Sequence, residues 1–249
     1  MKRVKLVVAY DGTNYCGWQV QKNGETIESV LNRAIGELTG EEIHVMGSSR
    51  TDAGVHACGN VAVFDTEARM AADKFSYALN QRLPEDIRIQ DSCEVPADFH
   101  PRFQKTVKTY EYRILNREFP LPAYRFNSHF TYRKLDVERM RQAAAYLIGE
   151  HDFQSFCAAG AQVKTTVRTI YALDVEKQGD LIILRITGNG FLYNMVRIIA
   201  GTLMKIGQGD WEPECIPEIV AGCDRQLAGP TAPARGLTLM EIHFKGEKG

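Results

Sequence analysis

Ten residues, Ser48-Ser49-Arg50-Thr51-Asp52-Ala53-Gly54-Val55-His56-Ala57, place an arginine, an acid and a histidine between two apolar runs. An acid followed by Ala-Gly reads as a turn, and a turn displays its side chains. Asp52 is the candidate for chemistry, because an ionised carboxylate can attack an electrophilic carbon or remove a proton. Aspartates also start turns and cap helices, so the loop by itself leaves a purely structural role open. A second unusual residue is Arg197, which interrupts a stretch, residues 188–204, that is otherwise uncharged. A guanidinium there needs solvent or a carboxylate, since an unpaired buried one is costly. Asp52 is a candidate partner; snorkelling to the surface is the alternative.

Basic residues are dense over residues 102–117, where Arg102, Lys105, Lys108, Arg113 and Arg117 interleave with Phe103, Tyr110 and Tyr112. Such a stretch could follow a phosphate backbone while its aromatics stack on bases, although an exposed strand with ordinary lysines fits as well. The formal net charge of -1 removes the simplest argument for a nucleic-acid partner but leaves room for a local basic stripe. The cysteines, Cys16, Cys58, Cys93, Cys157, Cys215 and Cys223, are scattered, and no two have the spacing of a zinc knuckle or redox pair. They are expected to be reduced and mostly buried. No two histidines are spaced to share a metal on one helix face, so no metal is expected. No apolar run approaches membrane-spanning length, and Met1-Lys2-Arg3-Val4-Lys5 leads into a strand rather than a signal peptide's apolar core. The expectation is a cytoplasmic protein with no membrane association.

The elements that must position these residues follow from periodicity. Alternation of Val4, Leu6, Val8 and Tyr10 predicts a half-buried strand ending in the turn cluster Asp11-Gly12-Thr13-Asn14. Ile27, Val30, Leu31, Ala34, Ile35 and Leu38 predict a helix from Thr26, stopped at Gly40. Residues 43–46 and 61–64 predict strands on either side of the Asp52 loop. Residues 74–81 read as a helix, and the segment from Ile87 as a strand. Prolines at 84, 96 and 101 suggest a domain boundary near residue 101. Beyond it, residues 107–115 read as a strand, and Val137, Met140, Ala144 and Leu147 as a helix closed by Gly149. Residues 170–177 and 181–187 read as a hairpin around Gln178-Gly179-Asp180. A long helix over 192–206, a shorter one after Trp211-Glu212-Pro213 and a final strand over 237–244 complete the chain. The order predicts an α+β protein of two domains, 1–101 and 102–249, each an antiparallel sheet with helices on one face, with a catalytic cleft between them.

Residues 47–57 closely resemble the catalytic loop of the tRNA pseudouridine synthase A family, whose core pattern is Gly-Arg-Thr-Asp-Ala-Gly-Val-His. Further segments agree in the same order. They are Tyr10-Asp11-Gly12-Thr13-Asn14-Tyr15-Cys16-Gly17-Trp18-Gln19, Phe99-His100-Pro101-Arg102-Phe103, Lys108-Thr109-Tyr110-Glu111-Tyr112-Arg113, Gly149-Glu150-His151-Asp152-Phe153, Phe191-Leu192-Tyr193-Asn194-Met195-Val196-Arg197 and Thr231-Ala232-Pro233-Ala234-Arg235-Gly236-Leu237. The resemblance spans essentially the whole chain. Ser49 departs from it, since many members carry glycine before the arginine; a small residue should fit there.

The resemblance implies an enzyme, without cofactor or metal, that isomerises uridine to pseudouridine in the anticodon arm of tRNA, at positions 38 to 40. It implies Asp52 as the essential aspartate, Tyr110 as the active-site tyrosine and Arg197 as the active-site arginine. Arg197 would keep Asp52 ionised, and Tyr110 would face the uracil. Arg50 is expected to fill the space of the flipped nucleotide or hold its phosphate. Tyr110, Lys108, Arg168 and His56 are further substrate-binding candidates; His56 and Trp18 also suit a packing or loop-fixing role. Arg82 and Arg235 are candidates for phosphate contacts. The family is homodimeric with tRNA lying across both subunits, which implies the same here. Two other functions remain open. A noncatalytic RNA-binding protein would explain the aromatic and basic interleaving. A hydrolase using Asp52 and His56 would explain the loop, though no second acid or nucleophile elbow accompanies it.

Overall fold

The computed structural model describes residues 1–160 and 163–244. Among them the chain forms ten strands and five α-helices and divides into two compact units, residues 1–105 with 239–244, and residues 106–160 with 163–238. The sequence predicts one cut, near residue 101; the fold also returns most of the last strand to the first unit.

In the first unit, β1 (Lys2–Tyr10) runs antiparallel to both β3 (His56–Thr66) and β4 (Ile87–Val95). The strand order is β4-β1-β3-β10, where β10 is Leu237–Phe244, and β2 (Met46–Gly47) pairs off the path with β3. Val4, Leu6 and Val8 are fully buried, as alternation requires of a strand with one covered face. Helix α1 (Ile27–Thr39) begins in a capping box: the Ser29 amide donates to Thr26 Oγ1 at 3.2 Å and the Thr26 amide to Ser29 Oγ at 3.0 Å. It buries Ile27, Val30, Leu31, Ala34 and Ile35. Helix α2 (Phe75–Asn80) adds Phe75, edge-on to Phe64 of β3 at 5.3 Å. Residues 43–45 form no strand, contrary to expectation, because the Val45 amide donates to the Asn32 side chain of α1 at 2.8 Å. His56 opens β3 and so belongs to a strand rather than to the loop.

In the second unit the order is β5-β9-β8-β7, with β5 Thr106–Asn116, β7 Gly149–Asp152, β8 Val167–Gln178 and β9 Leu181–Gly188. These pairs are antiparallel, whereas β6 (His129–Thr131) joins β5 in parallel. Helix α3 (Val137–Ala145) is capped by Asp136, whose Oδ1 accepts from the amides of Glu138 and Arg139. It ends before residue 147, and Gly149 opens β7 instead of closing the helix. Helix α4 (Met195–Gly207) starts three residues later than its periodicity suggests, because Asn194 sits at φ 60°, outside helical geometry. Eleven of its thirteen residues are buried, and α5 (Cys215–Gly222) follows.

Candidate active site

Asp52 is half-buried in the connection between β2 and β3, in a turn closed by the Val55 amide donating to the Asp52 carbonyl at 3.1 Å. The backbone around it is held from three sides. Asn60 of β3, fully buried, accepts from the Ser49 amide at 3.3 Å and donates to the Ser49 carbonyl at 3.0 Å, and it also donates to the Tyr10 hydroxyl. Tyr10, at the end of β1, shares a hydrogen bond of 2.7 Å with Thr51 Oγ1. The segment after β1 runs directly against the loop: the Trp18 amide donates to the Thr51 carbonyl at 3.0 Å. Gly17 is required there, at φ +88° and with no room for a Cβ, which would stand 2.7 Å from the Thr51 oxygen. These contacts explain why the motifs at 10–19 and 47–57 accompany one another: the first is the mould of the second.

The loop's other candidates part company. Ser49 and Thr51 are buried while Arg50 between them is exposed, its guanidinium only 3.4 Å from Gln19 Oε1. His56 turns inward and is buried, with Nδ1 3.1 Å from the Gly12 amide nitrogen and 3.0 Å from Asp11 Oδ1. One ring nitrogen can accept from the amide or donate to the carboxylate, not both, so the proton's position chooses between them. Burial opposes the charge on Asp11, but bonds from the Thr13 hydroxyl and amide and the proximity of His56 outweigh it and hold its pKa below the ordinary value. Trp18 is buried, its ring tilted against Tyr10 at 5.9 Å.

In the second unit the candidates converge on residues 188–197. Tyr110 lies half-buried on β5 with its ring edge-on to Phe191 at 5.2 Å. Lys108, two residues earlier and on the same strand face, pairs with Gly188. Arg168 of β8 reaches Gly190, where a Cβ would lie 3.8 Å from its Nε; its guanidinium donates to the carbonyls of Thr165 and Val167, and burial lowers its pKa. Arg197 on α4 is half-buried, donating from Nε to the Ala232 carbonyl at 2.8 Å and from Nη1 to Asn194 Oδ1 at 2.7 Å. The Ala232 amide returns a bond to the Arg197 carbonyl. The loop carrying Ala232 is fixed on its far side by Tyr112, which is fully buried and donates to the Pro233 carbonyl at 2.9 Å. Burial pushes the Tyr112 phenol well above its ordinary pKa, with Arg197 and Arg235 acting against that shift. Tyr112 is therefore a strut, while Tyr110 on the same strand stays half-exposed. Arg82, which donates to the Ala78 carbonyl, and Arg235 are exposed.

The family model for tRNA pseudouridine synthase matches residues 6–104 and 143–245. The chain belongs to the tRNA pseudouridine synthase family. Curated relatives named tRNA pseudouridine synthase A align over 98% of this chain and the whole of their own length: 48% identity over 244 residues in Acetivibrio thermocellus, 49% over 245 in Ruminiclostridium cellulolyticum and 50% over 245 in Brevibacillus brevis. A solved archaeal box H/ACA sRNP Nop10-Cbf5 complex aligns over 95% of the chain and 46% of its own at 11% identity and a TM-score of 0.34, a likeness too remote to carry an inference. The match to the tRNA pseudouridine synthase family takes in the Asp52 loop and the Arg197 helix, while Lys108 and Tyr110 fall between its two stretches. Of the residues that hold these candidates, Asn60, Phe191, Asn194 and Ala232 did not stand out by type. Asn60 carried a signal, as the one amide inside the apolar run of β3.

None of the six cysteines is in a disulfide, and they are not mostly buried as expected: five are half-buried and Cys58 is exposed. Among the described residues no cluster of three or more His, Cys, Asp or Glu side chains could hold a metal, and no helix is long and apolar enough to cross a membrane.

Proposed function

We propose that the protein isomerises uridine to pseudouridine in the anticodon stem-loop of tRNA, at positions 38 to 40. The observation that carries the reading is the family match, which contains both the moulded Asp52 loop and the Arg197 helix. The relatives' name, tRNA pseudouridine synthase A, supplies the substrate. The reaction breaks the bond from N1 to C1′, turns the uracil and joins C5 to C1′; C5 gives up its proton and N1 takes one from solvent, so the product is an isomer. Asp52 acts as the carboxylate, attacking C1′ or C6 or removing the C2′ proton. Its half-burial on a rigid turn suits a group that must meet the sugar in one orientation.

In this reading Arg197 keeps Asp52 ionised, and its two bonds to Ala232 and Asn194 fix the fork's direction. Tyr110 faces the uracil and accepts the C5 proton. Arg50, projecting between buried neighbours, occupies the place of the flipped base or holds its phosphate. Lys108, Arg168, Arg82 and Arg235 contact the RNA, whereas the buried ring of His56 supports the loop rather than the substrate. The enzyme works as a cytoplasmic homodimer, the tRNA lying across both subunits, because a chain of net charge -1 gathers a basic surface more readily from two copies.

Tritium release from tRNA labelled at uridine C5 tests this. Wild type releases label; Asp52→Asn loses about 10²-fold to 10⁴-fold in rate while still binding tRNA. Release by Asp52→Asn at the wild-type rate would overturn the role given to Asp52, and no release by wild type on any tRNA would leave a noncatalytic RNA-binding protein. Removing the cation with Arg197→Gln should raise the pKa of the carboxyl, so the acidic limb of kcat/KM moves to higher pH. Arg197→Lys should hold that limb in place while lowering kcat, since the charge survives and the fork does not.

A further inference from the structure

The segment 99–105 is anchored at alternate points and presents what lies between. Arg3 donates to the Phe99 carbonyl at 2.8 Å, and the Phe99 ring packs edge-on to Phe244 at 5.2 Å. Pro101 is buried, and its carbonyl accepts from Ser48 Oγ at 2.9 Å, which ties the segment to the loop that carries Asp52. Beyond this tether the chain turns outward. The Phe103 amide donates to the His100 carbonyl at 3.2 Å and the Arg102 amide to His100 Nδ1 at 3.2 Å. The His100 and Phe103 rings stack at 4.0 Å with 23° between their planes, yet Phe103 is 82% exposed.

An aromatic ring left in water, on a turn pinned at both Phe99 and Pro101, contributes almost nothing to the core. What it offers is a flat face already ordered by a second ring, so a third ring can stack without the entropy of fixing the first two. Arg102, Gln104 and Lys105 beside it are exposed, and no acid lies in residues 99–105, which favours a polyanion over an acidic or neutral partner. Tyr77, another strongly exposed aromatic of the same unit, lies on α2 with Lys74 Nζ over its ring at 5.6 Å. We infer that Phe103, stacked on His100, is a platform for one unpaired base of the RNA near the target uridine, with Arg102 and Lys105 on the adjoining phosphates. The inference rests on the proposed tRNA-modifying function.

Anticodon stem-loops carrying 2-aminopurine at successive loop positions test it on the intact enzyme. With wild type, one position is quenched on binding; with Phe103→Ala that quenching is lost and KM rises about ten-fold, while kcat at saturation is retained. Phe103→Trp should restore both readings, which separates stacking from damage to the fold. Equal KM and equal quenching in wild type and Phe103→Ala would overturn the platform. So would a change of mass in sedimentation with RNA binding intact, which would make Phe103 a contact between copies of the chain. Absence of tritium release by wild type on any tRNA would instead overturn the functional reading on which the inference stands.

Discussion

Asn60 does for Ser49 what a neighbouring strand would do, offering an acceptor and a donor to the same peptide backbone. A side chain is used because the loop must leave the sheet at this point to carry Arg50 outward and Asp52 into its turn. Truncating the amide withdraws bonds from three groups in a buried setting, so Asn60→Ala should cost about 1–3 kcal/mol in chemical denaturation. It should also lower the tritium-release kcat with little change in KM, because it loosens the position of Asp52 without touching a surface that binds RNA. Asp52 stood out as a candidate by residue type and turn chemistry, both local properties. A packing role for His56 was open from its type, but its partner was not legible, since Gly12 lies 44 residues back along the chain.

Helix α4 shows how an element and a loop can be built for each other. Gly201 has no space for a side chain: a Cβ would lie 1.8 Å from the Pro230 carbonyl oxygen. The same loop then accepts the Arg197 fork at Ala232 and is held beyond it by Tyr112. Gly201→Ala should therefore destabilise the protein by about 1–3 kcal/mol, as overpacking does, despite the higher helix propensity of alanine. It should lower activity further than that loss explains, as residual rate at a temperature where the variant stays folded would show. Elements with long periodic runs, such as α1 and the β8–β9 hairpin, were plain in the sequence. Strands β6 and β7, of three and four residues, were too short to show a period, and the late start of α4 followed from the backbone of Asn194.

The whole chain is nearly neutral, so its affinity for a polyanion must come from where its cations stand. Binding of tRNA should weaken steeply with salt, and Lys108→Ala or Arg168→Ala should each reduce the slope of log K against log salt by roughly 0.7–0.9, the effect of one lost phosphate contact. Asp52→Asn should leave that slope unchanged, and filter binding across a salt series reads both. The sequence by itself determined the family and the longer elements and supplied the candidate residues, because motif, periodicity and side-chain chemistry are carried by neighbours along the chain. Only the tertiary structure decided which of those residues are held and by what. Asn60 meets Tyr10 from 50 residues away, Thr51 meets Tyr10 across 41, and Arg197 takes its direction from a carbonyl 35 residues on. Contacts at such separations depend on how sheet, helix and loop pack, and no local pattern encodes them.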